Sequence, residues 1–397
     1  LINTVLAKKK KKSLDAHGIS NYMFNFLDLN YWSLLLKLYN HSFQKSVLPS
    51  AWKDTRMILL AKKDSICLPS LTRPISLLDS FQKIGEKLFL TRFRDLLFRR
   101  GLLPDSQSGF RERFRLQTRL LLFLEDIYSL MSNSAPVCTM FVDFRAAFDQ
   151  LWFLGCIGKL RNLGIPSSFL NWIEVCSLSG CINHFFADDL AGIMAGQLGI
   201  NYSSQCLDLE KRIKVFLDNL DYYSCLTDQP INFNKTKAMF SARAIGHPKF
   251  VINFRQDTMD IIEWTSEYKY LGYIISPKLG WGKFLKYMMT KIRQRISLIK
   301  SFKIFGCSSP YLRKTLFMSH VLPIFTWIYP IYPLLSENQQ NDLSHFYYSS
   351  LRRVLYCLHW NENFFAFALD EKSLEDRCHS YWEKYLAALA DSIDDLD

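Results

Sequence analysis

Two apolar runs that carry carboxylates, 45 residues apart, constrain the fold more than any other feature of the sequence. The first reads MFVDFRAAFD and the second reads FFADDL. Residues 138–144 predict a short buried strand, so we expect Asp143 at its end, beside a tight turn that presents Asp188 and Asp189. Three clustered carboxylates repel one another unless cations neutralise them, and such oxygen ligands suit Mg²⁺ or Mn²⁺. The pattern therefore predicts a metal site that could clamp the attacking and leaving oxygens of a phosphoryl transfer.

An Asp-Asp pair is also common in solvated turns and helix caps, so the pair alone identifies no site. The motifs around it are more specific: FVDFRAAFDQLW followed by FFADD resembles the metal-binding motifs of reverse transcriptases from non-LTR (LINE-type) retrotransposons. The resemblance implies an RNA-directed DNA polymerase, in which a primer 3′-hydroxyl attacks a dNTP on an RNA template and pyrophosphate leaves. Asp143, Asp188 and Asp189 would then be the catalytic metal ligands.

The same resemblance implies an α+β fold of the right-hand polymerase type. We expect a flexible basic stretch over residues 1–12, fingers over 13–134, a palm over 135–281 and a helical thumb and C-terminal region over 282–397. It also implies a product that stays in the nucleus or cytoplasm of a eukaryotic cell.

The charge balance favours a polyanionic partner. Lys and Arg number 49 against 37 Asp and Glu, which gives a net charge of +12, and a basic surface attracts nucleic acid. The sequence has no apolar run of about 18 residues, so no membrane-spanning helix is predicted. Ten cysteines without a Cys-x-x-Cys pair favour a reducing compartment over a disulfide framework.

Four positions match nucleotide-binding residues of the family. Residues 57–63 and 73–78 predict a hairpin, in which Lys63 and Arg73 would donate to the triphosphate and offset the charge on its oxygens. Solvated surface charges are the alternative. Phe148 matches an aromatic ring that lies under the sugar and would collide with a 2′-hydroxyl. A core Phe is the alternative there.

Lys235, in the segment INFNKTK, matches the position of a protonated amine beside the pyrophosphate, where it could act as a general acid. A surface lysine is the alternative.

Template and primer contacts follow from three further segments. The segment LPDSQSGFR resembles a fingers element that lies along the template, and it makes Arg111 and Arg113 candidate phosphate contacts. The segment YKYLGYII resembles the primer grip, a hairpin whose backbone seats the primer end. Its turn residues are Tyr270, Leu271 and Gly272. From residue 282, an amphipathic helix with many basic residues and no acid predicts a thumb helix along a duplex; a solvated helix is the alternative.

Between Cys176 and Phe185 the sequence departs from the family pattern. The family has a β-hairpin, a Pro-Gln-Gly turn and a long helix here, whereas this chain has only SLSGCINH. We interpret the chain as internally deleted and, because it opens on Leu1, as truncated. We therefore expect an incomplete palm and no useful rate of primer extension. A non-catalytic nucleic-acid-binding remnant is the alternative function, and a pseudogene product that does not fold is a third reading.

Overall fold

A computed structural model describes residues 14–15, 17–53, 56–61, 72–103, 107, 109, 115–144, 152–178, 190–227, 229–242, 250–254, 261–301, 309–357, 359, 361 and 372–394. The helices are α1 (Leu29–Lys45), α2 (Ser80–Arg99), α3 (Leu116–Ser132), α4 (Phe153–Asn162), α5 (Ser167–Leu178), α6 (Tyr202–Thr227), α7 (Gly282–Ser301), α8 (Pro310–His320), α9 (Leu322–Thr326), α10 (Glu337–Leu355) and α11 (Leu374–Asp394). The strands are β1 (Arg56–Ala61), β2 (Thr72–Leu77), β3 (Val137–Val142), β4 (Leu190–Ala195), β5 (Lys237–Ser241), β6 (Ile252–Asn253), β7 (Ile261–Ile262), β8 (Tyr268–Tyr270) and β9 (Tyr273–Ile275).

This mixture of helices and antiparallel strands is in keeping with the predicted α+β class. The chain divides into two compact units. The first comprises Leu1–Gln107, Arg145–Asp188 and Tyr223–Pro230, and the second comprises Ser108–Phe144, Asp189–Tyr222 and Ile231–Asp397. None of the helices in the described ranges combines the length and apolar character that a bilayer crossing requires.

The first unit has an aromatic core built largely by α1, α2 and α5. Phe89 of α2 stacks on Trp172 of α5 with ring centroids 4.1 Å apart. The start of α2 is fixed by Asp79, whose carboxylate accepts the backbone N–H groups of Phe81 and Gln82 and so satisfies two free donors of the first turn. The hairpin predicted from residues 57–63 and 73–78 is confirmed as an antiparallel β1–β2 pair.

The sheet of the second unit has the order β4-β3-β5, and all its neighbours are antiparallel. All six residues of the central strand β3 are buried, because each of its faces is covered. Met140 packs in one cluster with Leu209 and Ile213 of α6. Phe141 points to the opposite face, where it joins a larger cluster that includes Phe123 of α3 and residues of α7. Because both faces of β3 are covered by other elements, its sequence is a continuous apolar run.

Helix α7 confirms the amphipathic pattern predicted from residue 282 onward. Its buried face is formed by Phe284, Leu285, Met288, Ile292, Ile296 and Ile299. The basic residues on its exposed sides are Lys283, Lys286, Lys291, Arg293, Arg295 and Lys300. Met289 is only partly buried and packs against the same cluster. The hairpin predicted over Tyr268–Ile275 is also confirmed, as the antiparallel β8–β9 pair.

Candidate active site

Asp143 directly follows the central strand β3. Val142, the last residue of that strand, pairs with Leu190, the first residue of β4. Leu190 in turn directly follows Asp188 and Asp189 in the sequence. The Asp-Asp pair itself lies outside the described residues, so the convergence of three carboxylates stays a prediction. The sheet nevertheless joins the two motif-bearing segments at one end.

The carboxylate of Asp143 is held by one turn of chain. The Nζ of Lys235 lies 3.0 Å from its Oδ2, and the side-chain amide of Asn232 donates to the same oxygen at 2.9 Å. The backbone N–H of Asn232 also donates to the carbonyl of Asp143 at 2.7 Å. The backbone N–H of Asp143 donates a hydrogen bond to the hydroxyl of Thr236 at 3.3 Å. Four contacts therefore fix the end of β3 against residues 232–236.

The two partners of the ion pair differ strongly in exposure. The side chain of Asp143 is 15% exposed, whereas that of Lys235 is 67% exposed. An ion pair with one solvated partner contributes at most about 1 kcal/mol to stability, so a cation can replace the ammonium group at little cost. Both side-chain contacts described for Asp143 end on Oδ2, which leaves Oδ1 for a cation. A hard carboxylate oxygen in this position fits a Mg²⁺ or Mn²⁺ ligand.

Within the described ranges, no group of three or more His, Cys, Asp or Glu residues could hold a metal ion. Asp143 is the one member of the predicted three-carboxylate set that lies in those ranges.

Of the predicted primer-grip residues, Leu271 and Gly272 form the turn between β8 and β9, and Tyr270 is the last residue of β8. Leu271 has φ +50° and Gly272 has φ +88°, so both occupy the left-handed region. The hairpin is attached to the strand of Asp143 through Tyr268, whose ring stacks on Phe141 with centroids 4.0 Å apart. The hydroxyl of Tyr268 also donates to the carbonyl of Lys235, at 3.5 Å. Tyr270, which is buried, packs on Phe141 as well, at 5.5 Å.

The remaining predicted site residues are described only in part or not at all. Arg73 lies on β2, where its backbone pairs with Leu60, and its side chain is not described. The other predicted positions lie outside the described residues; they are Lys63, Arg111, Arg113 and Phe148.

Asn232, Thr236 and Tyr268 were not predicted as site residues, although the structure brings all three to Asp143 or to its lysine. One sequence signal could have found Asn232. It precedes Lys235 by three residues in a polar turn, and the N–H groups of Lys235 and Thr236 both donate to its carbonyl. In a turn of that kind the side chains of residues three positions apart lie on the same side. A carboxylate that pairs with Lys235 therefore also lies within reach of Asn232.

A cluster of one tyrosine and two lysines joins the β8–β9 hairpin to α7. The Nζ of Lys269 donates to the hydroxyl of Tyr287 at 3.2 Å, and the Nζ of Lys291 lies 4.6 Å from the centre of the same ring. Burial alone would raise the pKa of the Tyr287 phenol, but its hydrogen bonds with Lys291 and Lys269 outweigh this and hold the pKa below its ordinary value. The hairpin and α7 thus meet at a phenol between two ammonium groups.

No protein-family model matches the sequence. Comparison with curated proteins finds "Probable RNA-directed DNA polymerase from transposon BS" of Drosophila melanogaster, 22% identical over 90% of this chain. "RNA-directed DNA polymerase from mobile element jockey" is 27% identical over 42% of the chain in D. melanogaster and 22% identical over 73% in D. funebris. The aligned regions cover 44%, 18% and 36% of these relatives, so the chain spans less than half of their length. The resemblance predicted from the motifs is confirmed: the homologues of this chain are RNA-directed DNA polymerases of non-LTR retrotransposons from Drosophila.

Proposed function

We propose that the chain carries the polymerase region of a non-LTR reverse transcriptase, with an RNA template, a DNA primer and dNTPs as its substrates. One observation carries this proposal most directly: Asp143 ends a fully buried central strand whose neighbour starts immediately after the Asp-Asp pair. If the pairing of Val142 with Leu190 continues by one residue, Asp143 and Asp189 are the next pair. Two motifs that are 45 residues apart in sequence then meet at one end of one sheet.

In this proposal Asp143, Asp188 and Asp189 hold two divalent ions, Mg²⁺ or Mn²⁺. Such ions, when bound, stabilise the charge that develops on the attacking and leaving oxygens. Asp143 would be one of the ligands, and its Oδ2 accepts a hydrogen bond from the side-chain amide of Asn232. Lys235 pairs with the carboxylate of Asp143 and would donate a proton to the leaving pyrophosphate.

The other predicted positions complete the site. Lys63 and Arg73 bind the triphosphate, and Phe148 excludes the 2′-hydroxyl. Arg111 and Arg113 contact template phosphates. The backbone of the β8–β9 turn seats the primer end, since the stack of Tyr268 on Phe141 ties this hairpin to the strand of the first carboxylate. In this proposal residues 13–134 are the fingers, residues 135–281 the palm and residues 282–397 the thumb and C-terminal region.

We further propose that the present chain extends primers poorly, because the segment after Cys176 is too short for the family's template-binding helix. Metal ions alone cannot hold the hydroxyl and the α-phosphate near attack geometry, and correct positioning contributes about 7–11 kcal/mol to such reactions. Losing half of the lower figure slows the reaction by two to three orders of magnitude, since about 1.4 kcal/mol corresponds to tenfold in rate.

Primer extension on an RNA template, with Mg²⁺ and with Mn²⁺, tests both proposals. Three proteins are compared: the present chain, a chain with a relative's hairpin, turn and helix inserted after Cys176, and the inserted chain with Asp143→Asn. We expect weak extension by the first, robust extension by the second and loss of at least about a hundredfold in the third. No extension by the inserted chain would contradict the polymerase assignment. Robust extension by the present chain would contradict only the role of the missing segment.

A second function, binding of nucleic acid without catalysis, is favoured by α7. Six of its basic residues are exposed, and the helix contains no acidic residue. Exposed basic side chains along one helix bind phosphate backbones without recognising the base sequence.

A further inference from the structure

A groove with a volume of about 250 Å³ lies between α7 and α10, within the second unit. Its lining combines an apolar part, which includes Ile296 and Phe346, with three cations, Arg293, Lys300 and Arg353. None of the residues that line it is acidic. The groove therefore attracts an anion that also carries an apolar surface.

The three cations are available for a ligand. All three are exposed, and none forms an ion pair with a residue in the described part of the chain. The guanidinium group of Arg293 lies over the Phe346 ring, 5.1 Å from its centre. A guanidinium group in a cation–π contact can still donate its N–H groups to a phosphate.

We propose that this groove binds one unpaired nucleotide of a single-stranded nucleic acid. The phosphate lies among Arg293, Lys300 and Arg353, and the base packs on the Arg293–Phe346 pair and on Ile296. Unpaired bases are commonly stacked on aromatic rings and on arginine planes. A duplex would place only its phosphates here and leave the apolar lining unused, and a groove of this volume is too small for a helix of an acidic protein.

The inference takes from the proposed function only that nucleic acid is the partner. It does not require catalysis, and it would hold equally for a chain that binds nucleic acid without copying it. Its test therefore measures binding and not primer extension.

The experiment compares two labelled anions of equal length and charge: a short single-stranded oligonucleotide and the corresponding abasic phosphodiester. Four proteins are used: the native chain, Arg353→Gln, Phe346→Leu and Lys211→Gln. Lys211 lies on α6, is exposed and does not line the groove, so its variant controls for loss of charge alone. Thermal melting of each variant confirms folding, and Phe346→Leu keeps an apolar side chain where Phe346 packs on Phe325.

We expect the native chain to bind the oligonucleotide at least about fivefold more tightly than the abasic strand, which is the low end for one stacked base. Phe346→Leu should abolish most of this preference. Arg353→Gln should weaken binding of both strands and reduce the slope of log affinity against log salt by about 0.7, the value for one phosphate of a single strand. Lys211→Gln should leave both the affinity and the preference for bases unchanged.

Equal affinity of the native chain for the two strands would overturn the inference, as would an unchanged preference in Phe346→Leu. Competition by a polyglutamate peptide of equal charge as effective as that by the oligonucleotide would assign the groove to an acidic protein instead. A chain that binds duplexes but shows no preference for bases contradicts this inference alone. A chain that binds no nucleic acid contradicts the proposed function as well.

Discussion

At the scale of single residues, the main finding is that the carboxylate of Asp143 forms an ion pair with Lys235 of the same chain. Lys235 and Asn232 both contact its Oδ2, while the exposed position of Lys235 makes the ammonium group easy to displace. A metal ion and Lys235 therefore compete for one carboxylate. This competition can be measured without any catalytic activity.

We expect Mg²⁺ or Mn²⁺ to raise the melting temperature of the chain and Asp143→Asn to reduce that rise. At a tenfold excess over Kd, a ligand stabilises the folded state by about 1.4 kcal/mol, which corresponds to a rise of about 2 °C for a chain of this size, because the unfolding entropy is about 2.1 cal/mol/K per residue. Lys235→Met should enlarge the rise, because it removes the competing cation. Lys237→Met is the matched control, since Lys237 is two residues away and pairs with Glu263 at 2.6 Å. Identical metal-induced shifts in all four proteins would show that Asp143 is not a ligand.

A second residue-scale prediction concerns the ionisation of Tyr287. Its folded-state pKa is lowered, so its ionised form stabilises the fold at pH values above 10, and this contribution disappears as the pH falls through the folded-state pKa. In an alkaline titration followed by tyrosinate absorbance, Tyr287→Phe should remove the transition that occurs at the lowest pH. Lys269→Met should move that transition upward. Tyr311→Phe, at a residue that is 82% exposed, serves as the control and should leave it in place. An unchanged first transition in Tyr287→Phe would rule out the effect of the two lysines.

At the scale of secondary-structure elements, the β8–β9 turn shows why a glycine is required. Gly272 has φ +88°, and a Cβ there would lie 3.4 Å from the indole nitrogen of Trp327. We expect Gly272→Ala to lower the free energy of unfolding by about 1–2 kcal/mol, because an L side chain is strained in this region. Urea denaturation measures the change. The control is Gly282→Ala at the start of α7, where a Cβ would meet no atom within 4 Å. Equal effects of the two substitutions would contradict the account.

The elements that the sequence predicted well are those whose apolar pattern is complete. β3, α7 and both hairpins were predicted because burial repeats with the period of the element. The apolar spacing of residues 207–221 predicts a helix over those residues alone, whereas α6 spans Tyr202–Thr227. Its first residue and its last turns are largely exposed, including Tyr222 at 66%. Apolar periodicity cannot detect helical turns that face water.

The site was predicted less completely than the fold, for a related reason. Motif spacing identified Asp143 and Lys235 one at a time, but their contact joins residues 92 positions apart in sequence. Only the pairing of β3 with β5 brings the turn over residues 232–236 to that carboxylate. Neither local propensity nor charge pattern specifies strand register over such a distance, so Asn232 and Thr236 were missed.

At the scale of the whole molecule, the excess of positive charge predicts the mode of nucleic-acid binding. With a net charge of +12, we expect the chain to bind RNA/DNA duplexes without sequence preference and with an affinity that falls steeply with salt. On B-form DNA, each neutralised phosphate should add about −0.9 to the slope of log affinity against log salt. Replacing Lys286, Lys291 and Arg295 together by Gln should make the slope shallower, whereas replacing three exposed Gln or Asn residues by Ala should not. An affinity that does not change with salt concentration would contradict the prediction.

The double cover of β3 has a consequence for how the chain is made on a ribosome. One partner of this strand, β5, lies about 100 residues later, since Val137 pairs with Ser241. At a synthesis rate of about 5–20 residues per second, VCTMFV emerges roughly 5–20 s before that partner exists. During this interval an uncharged apolar segment with strong β propensity has neither its second neighbour nor its α6 cover, which makes it a binding site for chaperones and a nucleus for aggregation. The strand that precedes Asp143 therefore needs protection until its partners have been synthesised.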